Sequence, residues 1–187
     1  MQALFDFIVK PKNNKRYNNT KKISDVEIIT STSQEDHKFS NREAIVINTP
    51  RGYKGKIKKG DTLLVHHNVF KFYYDMKGRE RSGKSFLKDN VFFVDNEQFF
   101  LYKQDGEWHS HHKYCFVKPI RTQESIIYKN MPYEPLVGIM KYVNKELKKL
   151  GVEVGDKVTY KPDTEYEFIV DGEKLYRIMS QSITGIL

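Results

Sequence analysis

One stretch of the chain matches the letters of a phosphate-binding P-loop. Residues 78–85 read Gly-Arg-Glu-Arg-Ser-Gly-Lys-Ser, and residues 91–95 form an apolar run that ends in a carboxylate. A P-loop needs a strand before the glycine-rich turn and a helix after it, so that backbone N–H groups face the phosphates. Only residues 86–90 separate the two strings, whereas a parallel crossover needs about a dozen residues or more. The sequence therefore predicts a charged hairpin tip between antiparallel strands.

Histidine and cysteine side chains are the second group that could do chemistry. Three histidines within residues 109–112 lie close to Cys115, and His66 adjoins His67 on a predicted strand. The Cys-x-x-Cys and His-x-x-x-His pairs of closed metal sites are missing, and consecutive residues of a strand point to opposite faces. No nucleophile lies beside a base at a recognisable spacing. We therefore expect no metal, no cofactor and no enzymatic activity.

The charge of the chain permits nucleic-acid binding without demanding it. The formal net charge is +8, but the Lys and Arg residues are spread along the whole chain, with denser stretches at residues 10–22, 54–59 and 77–88. Such stretches are more often solvated loops than phosphate tracks.

The expected cellular location follows from features that the sequence lacks. A single cysteine excludes an internal disulfide framework. The N-terminus has no apolar run of signal-peptide type, and no stretch approaches the roughly 18 apolar residues that cross a bilayer. We therefore expect a cytoplasmic protein with no membrane segment.

Three pairs of short segments recur in the same order along the chain. Each copy has an apolar strand that ends in Lys-Pro, a Gly-Asp turn that begins a strand, and a hairpin turn that follows Val-Asp. The paired positions are 108, 95 and 76 residues apart, from Lys10 to Lys118, from Gly60 to Gly155, and from Asp95 to Asp171. The falling separation indicates that the first copy has the longer loops.

The recurrence predicts a tandem duplication of one module. We expect the first module at residues 1–104, a polar linker at 105–112 and the second module at 113–187. The aromatic content of 13% favours strands, and only residues 138–150, before Gly151, look helical. The predicted fold class is all-β, with each module a small β-barrel.

Several motifs of the second copy point to a known family. Val-Gly-Asp stands at residues 154–156, an acidic hairpin turn at 171–173 and Met-Ser-Gln-Ser-Ile at 179–183. In the first copy, residues 4–10 hold an apolar strand with Asp6 and Lys10, and residues 116–119 repeat its end. This combination resembles the GroES-type co-chaperonins, although two modules in one chain differ from the usual single-module subunit. The glycine pair that usually precedes the family's docking motif is also missing.

The resemblance implies a function and a set of partners. It implies a homo-oligomeric ring that caps a GroEL-type chaperonin and assists ATP-dependent protein folding. It also implies that a mobile loop after the opening strand carries a short aliphatic docking motif. Here that loop is residues 12–42, which are rich in Asn, Lys, Ser and Thr.

The docking motif corresponds to the one apolar island of that loop. The island comprises five consecutive residues: Val26, Glu27, Ile28, Ile29 and Thr30. Because the polar surroundings cannot bury it locally, we expect disorder until binding, with a short edge strand as the alternative. In the second copy the shorter loop offers Ile126 and Ile127, either as a second anchor or as a packed loop.

A second function class stays open at this stage. Aromatic residues concentrate at 70–74, 92–93 and 99–100, where they could stack on single-stranded nucleic acid or fill a core. Nucleic-acid binding is therefore the alternative to the co-chaperonin reading. A structural protein that has borrowed the fold is the third class, because fold does not dictate function.

Overall fold

The computed structural model describes residues 3–18, 20–23, 26–29, 39–122 and 132–187, with the backbone alone for 20–23 and 26–29. The chain divides into two compact units, Met1–Glu107 and Trp108–Leu187.

The first unit is built almost entirely of short strands. Along the chain they are β1 Phe7–Pro11, β2 Thr20–Ile23, β3 Val26–Ile29, β4 Glu43–Asn48, β5 Thr62–Val65, β6 Phe72–Tyr74, β7 Glu80–Ser82, β8 Phe86–Lys88, β9 Val91–Val94 and β10 Phe99–Gln104. The next strand, β11 Glu107–Ser110, begins at the last residue of this unit and continues into the second. One sheet has the order β11-β10-β5-β4-β1-β9-β8, while β2-β3 and β6-β7 are separate two-stranded ribbons.

Aromatic and branched side chains of these strands fill the core of the first unit. Phe7, Val9, Phe92 and Phe99 are each at most 1% exposed and belong to one buried cluster. Phe7 meets Phe99 edge to face, with ring centroids 5.4 Å apart. Phe7 lies opposite Val94, and Val9 lies opposite Phe92. The two residues from each strand are two positions apart, so they share one face of the sheet, as the period of a pleated strand requires.

The second unit is a six-stranded sheet with one short helix. Its elements are β12 Tyr114–Arg121, β13 Tyr133–Tyr142, α1 Lys145–Lys149, β14 Lys157–Tyr160, β15 Tyr166–Val170, β16 Glu173–Met179 and β17 Ile183–Ile186. The sheet order is β15-β16-β12-β13-β14-β17, and its neighbouring strands are antiparallel. The fold class is therefore all-β, as the sequence predicts.

The two units share one strand order. Six strands of the first sheet lie as β8-β9-β1-β4-β5-β10, and the second sheet lies as β15-β16-β12-β13-β14-β17. In both, the order by position along the chain is fourth, fifth, first, second, third, sixth. A common order of six strands indicates that the recurring motifs belong to two copies of one arrangement.

Two of the three recurring sequence pairs occupy equivalent places. Lys10 pairs with Ile45, and Lys118 pairs with Ile139. The Gly60 N–H donates to the carbonyl of Val46 at 2.9 Å, and the Gly155 N–H donates to that of Met140 at 2.8 Å. In both units the register of this strand shifts just before the valine that precedes Lys-Pro. The shift lies between Ile8 and Val9 in β1 and between Phe116 and Val117 in β12.

The prediction that the third pair, the turns at Asp95 and Asp171, occupies equivalent places is wrong. Val94 lies opposite Phe7 in β1, and the matching neighbour of β12 is Ile178, opposite Cys115. The equivalent residues are thus 84 positions apart. The Asp95 turn joins the fifth and sixth strands, whereas the Asp171 turn joins the fourth and fifth. Acidic hairpin turns share one chemistry wherever they occur, so the similar letters did not identify the flanking strands.

Two local expectations also need correction. Residues 105–112, expected as a linker, contain a turn at Asp105 and Gly106 followed by β11. Both turn residues have positive φ, 51° and 87°, which is the geometry that makes Asp-Gly a two-residue hairpin turn. That signal overrides the polar composition on which the linker prediction rested.

The helical prediction at residues 138–150 holds only for its last third. The first residues of that range continue β13, and α1 is five residues long. Asn144 caps it by accepting a hydrogen bond from the Leu147 N–H, and Gly151 follows with a φ of 86°. Within the described ranges, no helix is long and apolar enough to cross a membrane.

Candidate functional site

The loop with the apolar island contains a strand pair. Residues Val26–Ile29 form β3, which pairs antiparallel with β2, placing Ile28 opposite Lys21 and Val26 opposite Ile23. The alternative of a short strand for this island therefore agrees with the backbone described, rather than the expectation of a structureless segment. Thr30 lies outside the described residues. Both strands contain β-branched residues, which favour strand pairing.

The two ends of this loop are joined at a narrow base, which we call the neck. The Asn18 N–H donates to the Phe39 carbonyl at 2.7 Å, and the Asn41 N–H donates to the Arg16 carbonyl at 2.9 Å. Between them, Tyr17 and Ser40 form an antiparallel bridge. The long loop is therefore closed at a fixed place on the first unit.

Asn41 holds the neck from inside. Its side chain is buried, at 4% exposure, and its amide nitrogen donates to the carbonyls of Lys12 and Lys15. Its amide oxygen accepts the Glu43 N–H at 2.9 Å. A buried amide with these partners satisfies backbone groups that no strand ladder reaches.

Arg16 ties the neck to the β6–β7 ribbon. Its guanidinium donates to the Phe70 carbonyl at 2.9 Å and to the Lys71 carbonyl at 3.1 Å. The same group lies 4.8 Å from the ring centroid of Phe72, with Glu80 at 3.6 Å. Burial lowers the pKa of the Arg16 guanidinium, and the charge of Glu80 acts against that shift. Arginine stays charged under such conditions, so this is a charged clamp.

The second unit has a corresponding neck. Arg121 pairs with Tyr133 at the far end of the β12–β13 ladder, and the Thr122 N–H donates to the Pro132 carbonyl at 3.3 Å. Residues 123–131 between them, with Ile126 and Ile127, lie outside the described residues. Both units thus close a loop between their first and second sheet strands.

An open groove lies beside the second neck. It has a volume of about 560 Å³ and an apolar floor that includes Pro119, Ile120 and Ile139. On its rim, the Glu173 carboxylate lies 2.6 Å from Lys118 Nζ and 2.9 Å from Lys141 Nζ. Hydrogen bonds from Lys118 and Lys141 lower the pKa of Glu173. The residues that line the groove hold three cations, Lys118, Arg121 and Lys174, against the single carboxylate of Glu173, so its rim is net positive.

The P-loop string forms a hairpin and a strand. Gly78 lies in the turn between β6 and β7, as the hairpin prediction requires, and the chain after Ser85 continues as β8, paired with β9. Ser85 is 6% exposed and its hydroxyl accepts a hydrogen bond from the Gln98 side chain. The helix that phosphate binding requires is a strand here.

The histidine and cysteine positions gather no ligand set. β5 ends at Val65, so His66 and His67 follow the strand, and their ring centroids are 4.1 Å apart; the expectation of opposite faces was wrong because a turn begins there. Cys115 is fully buried, and burial raises its pKa to about 12. Across the described part of the chain, no group of three His, Cys, Asp or Glu side chains could hold a metal ion.

Arg16 and Asn41 were not identified from the sequence. Arg16 ends a run of basic and Asn residues that is typical of a solvated loop, and Asn41 follows a polar stretch of the same kind. The feature that distinguishes them is the partner set, which comes from residues 54 and more positions away for Arg16 and is not visible in local composition.

No model of a known protein family matches the chain, and no curated protein sequence matches it either.

Proposed function

We propose that the protein is a co-chaperonin that forms a homo-oligomeric ring and caps a GroEL-type chaperonin. The observation that carries the proposal is the closed neck between the first and second sheet strands of both units. In each unit the neck isolates a loop that holds an aliphatic pair, Ile28–Ile29 or Ile126–Ile127. This agrees with the loop position that the GroES-type resemblance implies.

The docking step uses the loops as weak, repeated contacts. Residues Val26 to Thr30 of the first loop form the principal anchor, and Ile126 with Ile127 form the second. Each loop loses conformational entropy when it binds, so a single contact is weak. A ring that presents several loops to a symmetric partner makes later contacts intramolecular, which can raise affinity by about 10² to 10⁴.

The fixed neck makes this mechanism more efficient. Because hydrogen bonds of Asn41 and Arg16 hold both loop ends, docking does not have to immobilise the base of the loop. The smaller the ordered segment, the smaller the entropy lost on docking. No catalytic step and no cofactor enter the mechanism, and we place it in the cytoplasm.

One observation bears on the alternative, single-stranded nucleic-acid binding. Of the aromatic residues that could stack on bases, Phe70, Phe92, Phe99 and Phe100 are each at most 1% exposed, so they belong to the core. Tyr73 and Tyr74 are exposed, at 46% and 49%, near several cations. Of the aromatic residues named for the alternative, they and the partly buried Phe93 are the ones that lie outside the buried core.

Mixing the purified protein with a GroEL-type chaperonin tests the proposal. With ATP present, we expect the two to co-elute on size exclusion as a complex larger than the chaperonin alone. A ring that elutes separately under these conditions would contradict the proposal and favour a structural protein of the same fold. Binding to single-stranded DNA with a steep salt dependence would favour the alternative instead.

A further inference from the structure

The first unit is longer than the second at two places. Lys10 and Ile45 are 35 residues apart, while the equivalent Lys118 and Ile139 are 21 apart. The second difference lies between the third and fifth sheet strands. There, 29 residues separate Leu63 from Phe92, against 18 between Val158 and Tyr176. The extra residues fall in the loop that the neck closes, which we call the neck loop, and in the β6–β7 ribbon.

These two insertions are joined at their bases. Arg16, at the neck, donates to the carbonyls of Phe70 and Lys71 just before β6 and reaches the Ser82 hydroxyl at the end of β7. Next to it, the rings of Tyr17 and Phe72 meet edge to face, with centroids 5.1 Å apart. The neck and the ribbon therefore keep a fixed relation to each other.

The ribbon exposes large apolar side chains away from this base. Tyr73 is 46% exposed, Tyr74 is 49% exposed and Met76 is fully exposed at the turn. Among the described strands, β6 forms its ladder with β7, where Tyr73 lies opposite Arg81 and Tyr74 opposite Glu80. Tyrosine and methionine are enriched in the centres of protein interfaces, whereas a solvated turn has no need of them.

The charge around these side chains is positive. Residues 71–84 hold five Lys or Arg against Asp75 and Glu80. Asp75 is taken up inside the turn, where its carboxylate accepts the N–H groups of Lys77 and Arg79. Lys77 and Arg79 themselves are exposed. A partner that matches this ribbon is negatively charged around an apolar pocket.

We propose that the β6–β7 ribbon is an additional docking element of the first unit, which inserts Tyr73 and Met76 into an acidic, apolar-pocketed surface of the protein partner that the neck loop engages. The inference rests on the proposed function, since it names the same chaperonin as the partner. A protein is the better match than nucleic acid because consecutive strand residues face opposite sides, so Tyr73 and Tyr74 do not form one stacking platform.

Titration of the full-length protein against a GroEL-type chaperonin with ATP tests the inference. The variant Tyr73→Thr with Met76→Ser is compared with Leu150→Ser with Val154→Ser, which removes two exposed apolar side chains from the second unit. We expect the ribbon variant to bind at least about tenfold more weakly, as for interface anchors, and the control to bind as the parent protein does.

A charge variant makes the test independent of the ribbon's own folding. Lys77→Glu with Arg79→Glu changes two exposed side chains, and we expect it to weaken chaperonin binding and to flatten its dependence on salt. Unchanged binding by both ribbon variants, while the parent protein binds, would overturn the inference alone. Failure of the parent protein to bind would overturn the proposed function and the inference with it. Loss of single-stranded DNA binding in these variants, with chaperonin binding intact, would also overturn the inference.

Discussion

Arg16 joins more parts of the first unit than the sequence around it indicates. One guanidinium joins the neck to the residues before β6 and to the last residue of β7. It also lies within 5.8 Å of the ring centroids of Phe72, Phe86 and Phe92. Arginine is suited to this place because its planar group donates in several directions and stacks on rings at the same time. Lysine has neither property.

Removal of this side chain should loosen the neck and the ribbon together. We expect Arg16→Ala to lower the free energy of unfolding of the first unit by about 2 to 4 kcal/mol, since the carbonyl of buried Phe70 loses its charged donor and the contacts of the guanidinium with the aromatic rings are removed. Hydrogen exchange of the Gly83 N–H, which donates to Lys71 at 3.0 Å, should accelerate. Arg51→Ala, at an exposed position, is the control and should change stability by less than about 0.5 kcal/mol. Equal exchange in both variants would show that Arg16 does not hold the ribbon.

Residue chemistry also explains which parts of the site could be predicted. Gly60–Asp61 and Gly155–Asp156 were found because glycine and aspartate define a turn through their own backbone preferences. In both turns the aspartate carboxylate accepts a backbone N–H three residues earlier, at 2.8 Å. Arg16 and Asn41 have no such local signature, because their partners are fixed by the tertiary fold.

At the scale of elements, the Lys-Pro strands and Gly-Asp turns located four of the repeated strands. They could do so because the hydrophobic alternation and the turn residues lie within one short segment. The Asp95 and Asp171 turns misled the comparison, since a turn does not record which strands it joins. The β2–β3 pair was masked by the polar composition around it, which indicates disorder when read over the whole loop.

In the β12–β13 ladder, the backbones of the two strands lie so close together at Gly138 that a side chain has no room there. Gly138 pairs with Pro119, and a Cβ there would lie 2.9 Å from the Lys118 carbonyl oxygen and 3.2 Å from Val117. The equivalent position of the first unit is Ala44, opposite Pro11. Glycine is therefore required in one copy and alanine is accepted in the other.

We expect Gly138→Ala to destabilise the second unit by about 1 to 3 kcal/mol, because the added methyl group overpacks the ladder. The single tryptophan, Trp108, provides the measurement, since it is 7% exposed and its indole N–H donates to Asp171 at 2.9 Å. Urea unfolding followed by its fluorescence should show the shift. Gly185→Ala, where a Cβ meets only Thr159 at 3.4 Å, should leave the midpoint nearly unchanged. A similar midpoint for both variants would contradict the assignment.

At the scale of the whole molecule, the two units have the same strand order, and the first unit has additional segments between its strands. The second unit keeps short connections, whereas the first adds the long neck loop and the ribbon tied to it. Insertions placed between strands cost little stability, so the first copy could accommodate both. We infer that the first unit carries most of the docking contacts and that the second contributes the shorter loop.

The measurement that tests this account most directly separates ring assembly from docking. The double variant Ile28→Asp with Ile29→Asp introduces charge into β3 at the proposed anchor, and Val154→Asp with Ile169→Asp introduces the same charge at exposed positions of the second unit. Native mass spectrometry gives the ring mass, and co-sedimentation with a GroEL-type chaperonin and ATP gives the docking. We expect the loop variant to keep its ring and lose the chaperonin, while the control keeps both. Undiminished capping by the loop variant would contradict the account.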